Sequence, residues 1–103
     1  GQVSAGPGGE VIGKGNMEAQ IKQVCECIRA GLEYVGASFA DVVRTVTYTT
    51  DVDEYFRCQG VRFDYFSHPA PTSTLLGVSR LADPDFLVEI EAEATLGLER
   101  LRL

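Results

Sequence analysis

The chain has 103 residues, and its nine basic and fifteen acidic side chains give a formal net charge of −6 at pH 7. This length fits one compact domain, so we assign residues 1–103 to a single domain. A negative surface repels nucleic-acid phosphates and anionic lipid, and no segment reaches the ~18 consecutive apolar residues of a membrane span. The composition argues against nucleic-acid and membrane partners and favours a soluble domain.

Cysteine usage bears on the compartment and on metal binding. Cys25, Cys27 and Cys58 leave one thiol over after any pairing and form no C-x-x-C motif. We expect reduced thiols and a cytoplasmic protein. No metal-ligand spacing and no glycine-rich nucleotide motif is present, so the sequence predicts neither a metal nor a nucleotide cofactor.

The first half of the chain predicts a loop, a helix and a strand. The glycine-rich opening GQVSAGPGGEVIGKG favours a loop or hairpin. Helical spacing runs from Met17 to Val35, with Asn16 as the N-cap and Gly36 as the left-handed exit. The β-branched residues of VVRTVTYTT predict a strand over 42–50, with Val43, Thr45, Thr47 and Thr49 on one face.

The second half predicts another helix and two strands. An apolar stripe of Val52, Phe56, Phe63 and Phe66 indicates a helix, which Gln59 interrupts with an amide. The segments STLLGVS and FLVEIEAEATL read as strands joined by the turn RLADPD. This order predicts an α+β sandwich in which a mixed sheet carries two helices on one face.

Three carboxylates share one face of the last strand. Alternation places Glu89, Glu91 and Glu93 together, each about 7 Å from the next, opposite an apolar face. They are either a solvated or partner-facing surface, with a cation such as Arg44 nearby, or carboxylates that position water in a subunit cleft. His68 is the single histidine, and no nucleophile or acid is spaced to support it, so we expect no catalytic role.

Three segments together resemble a known family. GQ at the start, AQIKQVCECIRAGLEYVGASFADVVRTVTYTTDVDEYF in the middle and VEIEAEA at the end are similar to the YjgF/Rid family, also described as endoribonuclease L-PSP or translation-inhibitor-like. The resemblance implies a chorismate-mutase-like fold, a homotrimer with clefts between subunits, and hydrolysis of imines or enamines without a cofactor. It also implies that the family's amino-terminal strand is missing from these 103 residues.

The resemblance assigns site residues one by one. Glu89 corresponds to the glutamate that positions water or moves protons, and Gln59 to a cleft-facing Asn. Leu75 corresponds to a position whose backbone lines the cleft, and Gly1 to the Gly of a Ser-Gly-Gln motif.

The uncharged lip PAPTSTLL, residues 69–76, departs from the family's Pro-Ala-Arg-Ser. Matching Pro71 to that proline puts Thr72, Ser73 and Thr74 at the Ala, Arg and Ser; matching Pro69-Ala70 puts Pro71 at the Arg. Neither register supplies the arginine that would bind a substrate carboxylate.

The missing arginine leaves three functions open. A hydroxyl offers one neutral donor where a guanidinium offers two charged ones, so small carboxylate imines are expected to bind poorly. The first interpretation is a deaminase-like hydrolase for another substrate, with Glu89 as its catalytic residue; the second is a non-catalytic metabolite-binding or regulatory trimer. Ribonuclease action is disfavoured by the acidic charge and by the lack of a His-His or His-Lys pair.

Overall fold

The computed structural model describes residues 1–67 and 70–100, so His68 and Pro69 lie outside the described residues. Its strands and helices, in chain order, are β1 (Gln2–Val3), α1 (Met17–Tyr34), β2 (Val42–Thr49), α2 (Val52–Cys58), α3 (Gly60–Phe63), β3 (Thr72–Gly77) and β4 (Val88–Ala94). The sheet order is β1-β4-β2-β3, with β2 parallel to β3 and antiparallel to β4. The predicted α+β fold with a mixed sheet is confirmed.

The helix α1 forms as the sequence predicts. The Asn16 side chain accepts a hydrogen bond from the backbone N–H of Ala19 at 3.0 Å, which satisfies one of the free donors of the first turn. Gly36 has φ 85°. This left-handed conformation is common directly after a helix, and glycine adopts it with the least strain because it has no Cβ. The buried stripe of α1 includes Ile21 and Val24, and it belongs to the same core as Val88 and Ile90 of β4.

The central strand β2 separates two different surfaces. Its side chains Thr45, Thr47 and Thr49 are buried on the helix-covered face, as alternation predicts. A shift in the β2–β4 pairing between Val42 and Arg44 breaks that alternation, so Val42 is buried whereas Val43 is 44% exposed. The expectation that Val43 shares a face with Thr45 overlooked this bulge.

The predicted second helix is divided in two, and its buried side is different from the predicted one. Helix α2 ends before Gln59 and α3 starts at Gly60. The predicted apolar stripe is buried at Phe66, whereas Phe56 and Phe63 are 54% and 57% exposed, so these two residues were wrongly placed in it. The buried side chains of this region are Tyr55, Arg62 and Phe66.

The helices of the described residues bear on membrane insertion. None of them is both long enough and apolar enough to cross a bilayer.

Candidate functional site

A cavity of about 580 Å³ opens beside α2 and α3, on the helix-covered side of β2 and β3. Its wall is mainly aromatic and aliphatic, with a few polar groups at the centre, which is the usual chemistry of a small-molecule pocket. The lining residues are Thr47, Tyr55, Phe56, Gln59, Arg62, Phe63, Phe66, Ser67, Ala70, Pro71, Ser73 and Leu75.

Arg62 occupies the polar centre of this cavity. Its Nη2 donates hydrogen bonds to Thr45 Oγ1 at 2.7 Å and to Ser73 Oγ at 3.3 Å, and its Nη1 donates to Thr47 Oγ1 at 3.2 Å. The guanidinium carbon lies 4.8 Å from the centre of the Phe66 ring, within cation–π distance. Three hydroxyls and one ring therefore hold the guanidinium, and the side chain is only 6% exposed.

No described acid neutralises Arg62. The four ion pairs formed by the described residues use other cations. The Cys25 thiol lies close enough to feel the positive charge of Arg62, yet burial outweighs this effect and raises the pKa of Cys25 to about 12. Cys25 thus stays a neutral thiol at physiological pH, and the cavity retains one uncompensated positive charge.

The cavity brings together three of the residues that the sequence assigned to substrate binding. Ser73 and Leu75 lie on the helix-covered side of β3, and the half-buried Gln59 sits at the junction of α2 and α3. Pro71 lines the same cavity, so the described part of the lip, from Ala70 onward, does form its rim.

Glu89 and Gly1 lie elsewhere. Glu89 pairs with Tyr48 of β2, whose side chain belongs to the uncovered face of the sheet. The Glu89 carboxylate lies so close to Gly1 that a Cβ added there would collide with it. These two residues are adjacent to each other, but within one chain the sheet separates them from the cavity.

The two lip threonines are also outside the cavity lining. Both Thr72 and Thr74 are exposed, and alternation directs them away from Ser73 and Leu75. Thr72 Oγ1 donates to the Val43 carbonyl at 3.1 Å, which ties it to the neighbouring strand.

The uncovered face of the sheet combines a hydrogen-bonded polar pair with exposed apolar side chains. Tyr48 donates its hydroxyl hydrogen to Glu91 Oε1 at 2.9 Å, and this bond raises the pKa of Tyr48 above its ordinary value. Val43 and Leu76 are 44% and 45% exposed, and Leu76 pairs with Tyr48 across the parallel strands. This surface is predominantly neutral around Leu76 and acidic along β4.

The sequence analysis missed Arg62. A signal was present, because Tyr55, Gln59, Arg62 and Phe66 follow the 4-3-4 spacing of one helix face. The predicted stripe shared Gln59 and Phe66 with this face but followed Phe56 and Phe63 in place of Tyr55 and Arg62. Tyr55 and Phe66 of this face belong to the core, and Gln59 and Arg62 between them line the cavity.

A metal site would need several donor side chains close together within residues 1–67 and 70–100. No three side chains of His, Cys, Asp or Glu converge there in a way that could hold an ion.

The fold and the cavity define a small α+β domain with one cation at the centre of an aromatic-walled pocket. The family model described as endoribonuclease L-PSP matches residues 1–96. A RutC family protein of Pyrococcus abyssi is 38% identical over 94 residues, covering 91% of this chain and 73% of the relative. The chain belongs to the endoribonuclease L-PSP family, that is, to the YjgF/Rid proteins.

Two solved structures agree with this family. The Rid-family protein YyfB of Yersinia pestis superposes with a TM-score of 0.85 at 35% identity, over 93% of this chain and 74% of that chain. RidA of the Antarctic bacterium Psychrobacter sp. superposes with a TM-score of 0.81 at 31% identity, over 89% and 73%. The expected YjgF/L-PSP fold is therefore confirmed.

Proposed function

We propose that the protein is a homotrimer whose clefts between subunits hydrolyse an imine or enamine to a carbonyl compound and ammonia. One observation carries this proposal: Glu89 and the cavity lie on opposite sides of the same sheet. A site that uses both needs a second copy, whose uncovered face brings its Glu89 to the rim of the first copy's cavity. The exposed Leu76 and Val43 supply apolar area for such packing.

The chemistry needs one carboxylate and one water. Glu89 accepts a hydrogen bond from water and takes a proton as the water oxygen attacks the carbon of the C=N bond. That proton passes to nitrogen and gives the carbinolamine. Glu89 then moves the hydroxyl proton of the carbinolamine to the amino group as the C–N bond breaks, so the carbonyl forms and ammonia leaves. Gln59 and Ser73 orient the substrate, and no cofactor takes part.

A second candidate is a ligand-binding or regulatory trimer with the same cleft. It is favoured by the cavity lining itself, which contains no Asp, Glu, Lys or Cys among the described residues. Without a neighbour's carboxylate the pocket can bind a molecule but has no group suited to move protons near neutral pH.

The experiment compares Glu89→Gln with Glu93→Gln, a substitution on the same face of β4 at an exposed glutamate. Ammonia release is measured from a panel of imines and enamines generated in situ, together with thermal shift for the matching carbonyl compounds. We expect Glu89→Gln to lower the rate about 10²-fold or more and Glu93→Gln to leave it near the unaltered value.

Two outcomes would reject the catalytic proposal. Equal rates in the folded Glu89→Gln variant and the unaltered protein would remove Glu89 from the mechanism. Thermal shifts without ammonia release from any member of the panel would favour the binding protein.

The proposed partners are other copies of this chain and a small molecule. The described residues include three free cysteines, Cys25, Cys27 and Cys58, which suit the reducing cytoplasm that we propose as the location.

A further inference from the structure

We propose that Arg62, supplied by α3, is the anion anchor of the cavity, and that the ligand is a carboxylate attached to an apolar body the size of an aromatic ring. This inference rests on the cavity being the ligand site of the proposed function. It does not need the trimer or the chemistry, because every group it uses belongs to one chain.

The guanidinium has hydrogen-bonding capacity left for a ligand. It carries five N–H donors, and its contacts with Thr45, Thr47 and Ser73 use three of them. Because the hydroxyls of Thr47 and Ser73 accept from Arg62, their own hydrogens stay available to donate, and the adjacent positive charge strengthens such bonds. Both hydroxyls line the cavity.

The charge balance favours an anion. Arg62 is 6% exposed as a residue, so its guanidinium loses much of its hydration, and no described carboxylate forms an ion pair with it. A bound carboxylate would supply the missing counter-charge and accept charge-assisted hydrogen bonds. A neutral ligand of the same shape would leave the cation unpaired.

The cavity wall indicates the chemistry and size of the part of the ligand beyond its carboxylate. The rings of Phe56, Phe63 and Phe66 border the cavity, and Leu75 closes it toward β3. A volume of about 580 Å³ exceeds the needs of a two- or three-carbon acid and suits a drug-sized or aromatic molecule. The anion anchor lies at the polar centre, so the carboxylate enters first and the apolar part contacts the rings.

The opposing interpretation is that Arg62 only ties α3 to β2 and β3. The two interpretations differ in ligand preference, because a purely structural arginine gives no selectivity between an acid and its amide. Phenylacetate and phenylacetamide are matched probes, since they share the aromatic body and differ in charge.

The test measures binding of both probes to the full chain by calorimetry. We expect phenylacetate to bind about tenfold or more tightly than phenylacetamide, since a hydrogen bond to a charged group is worth more than a neutral one. Arg62→Gln should abolish this preference. Arg57→Gln is the control, because it also removes one positive charge but at an exposed residue paired with Glu54 outside the cavity, and it should retain the preference.

A second measurement keeps the inference testable if Arg62→Gln does not fold. In ¹⁵N NMR of the unaltered protein, the Arg62 Nε–H signal should shift on titration with phenylacetate and stay in place with phenylacetamide. Equal affinity for the two probes, or an Arg62 signal that neither probe moves, would overturn the inference.

Ammonia release is scored separately, so the two proposals can fail independently. Phenylacetate selectivity without imine hydrolysis supports the anchor and counts against the enzyme. Imine hydrolysis without acid selectivity overturns the anchor alone.

Discussion

A guanidinium held by hydroxyls behaves differently from one held by carboxylates. Hydroxyls fix the position of Arg62 and leave its charge intact, whereas a carboxylate would cancel that charge. The described part of the lip of β3 lacks the arginine that the family resemblance led us to look for, and in the register that matches Pro71 to the family's proline, Ser73 takes that position. The Ser73 hydroxyl contacts Arg62, so a cation supplied by a helix lies next to Ser73.

Ser73→Arg is therefore expected to destabilise the protein rather than simply add an anion clamp. The Ser73 hydroxyl now lies 3.3 Å from Arg62 Nη2. An arginine at position 73 would bring a second guanidinium against that of Arg62, and like charges in contact repel. We expect a lower melting temperature for Ser73→Arg, and recovery when Arg62→Gln is added, with a coupling free energy of about 0.5–3 kcal/mol.

Ser73→Gln is the matched control, because it adds bulk at the same position without charge. A melting temperature for Ser73→Arg equal to that of Ser73→Gln would show that the two cations do not meet.

Cys25 should resist thiol reagents in the folded protein. Its side chain is fully buried and its pKa is raised to about 12, so at pH 8 only about one thiol in ten thousand would be ionised. Mass spectrometry after iodoacetamide treatment should find Cys27 and Cys58, which are half-buried, modified first. Labelling of Cys25 as fast as Cys58 before unfolding would contradict its placement in the core.

The elements of the helical layer are joined by a few side-chain contacts. Tyr65, just beyond α3, donates its hydroxyl hydrogen to Glu26 Oε2 of α1 at 2.6 Å. Arg29 of α1 lies over the rings of both Phe39 and Tyr65, at 5.5 Å and 5.3 Å from their centres. These contacts hold the segment after α3 against α1 and so support the wall of the cavity.

Stability should fall at alkaline pH because of Tyr65. Burial and the hydrogen bond to Glu26 raise the pKa of Tyr65 to about 12. A raised pKa means that the folded state favours the neutral phenol of Tyr65. The stabilisation that this phenol gives is therefore fully present below about pH 10, the ordinary tyrosine pKa, and is lost as the pH rises toward 12. Urea unfolding at pH 8, 10 and 11.5 should show a decline that Tyr65→Phe makes shallower.

The raised pKa of Tyr48 acts in the same direction, so Tyr65→Phe should reduce the decline without removing it. Tyr34→Phe, at a tyrosine that is 77% exposed, is the control and should leave the decline unchanged. An equally steep decline in Tyr65→Phe and the unaltered protein would contradict the proposed role of this hydroxyl.

Elements with strong local patterns could be predicted from the sequence, and the interruptions between them could not. Helix α1 has a cap, a periodic stripe and a left-handed glycine, all of which act locally. The bulge at Val43 depends on how β2 pairs with β4, and the break at Gln59 lies where α2 and α3 border the cavity. Such features are set by tertiary contacts, which the periodicity of one segment does not contain.

The candidate site also contains residues that could be predicted from the sequence and residues that could not. Gln59, Ser73 and Leu75 were identified from the resemblance and do line one cavity. Arg62 was missed because its importance comes from meeting Thr45, Thr47 and Ser73, residues 11 to 17 positions away along the chain. Glu89 was assigned to the same cleft, yet one chain alone keeps it on the far side of the sheet.

At the scale of the molecule, the described residues form a sheet with one face covered by helices and one face that none of these helices covers. On the uncovered face, β4 carries acids and β3 carries the exposed Leu76. A domain of this size gains stability by covering such a surface, and closed rings of identical copies are a common solution. In the proposed trimer this face packs against a neighbour and brings Glu89 to the neighbour's cavity.

Leu76→Lys should therefore break the trimer. A lysine in the contact would replace apolar area by a charge that has to lose its hydration on packing, which costs more than the same change on a free surface. Light scattering at micromolar concentration should show a trimer for the unaltered protein and smaller species for Leu76→Lys. Tyr34→Lys introduces the same charge at a 77% exposed side chain at the end of α1 and should remain trimeric. A monomer in the unaltered protein, or an intact trimer in Leu76→Lys, would mean that this face is not the interface, and Glu89 would then have no route to the cavity.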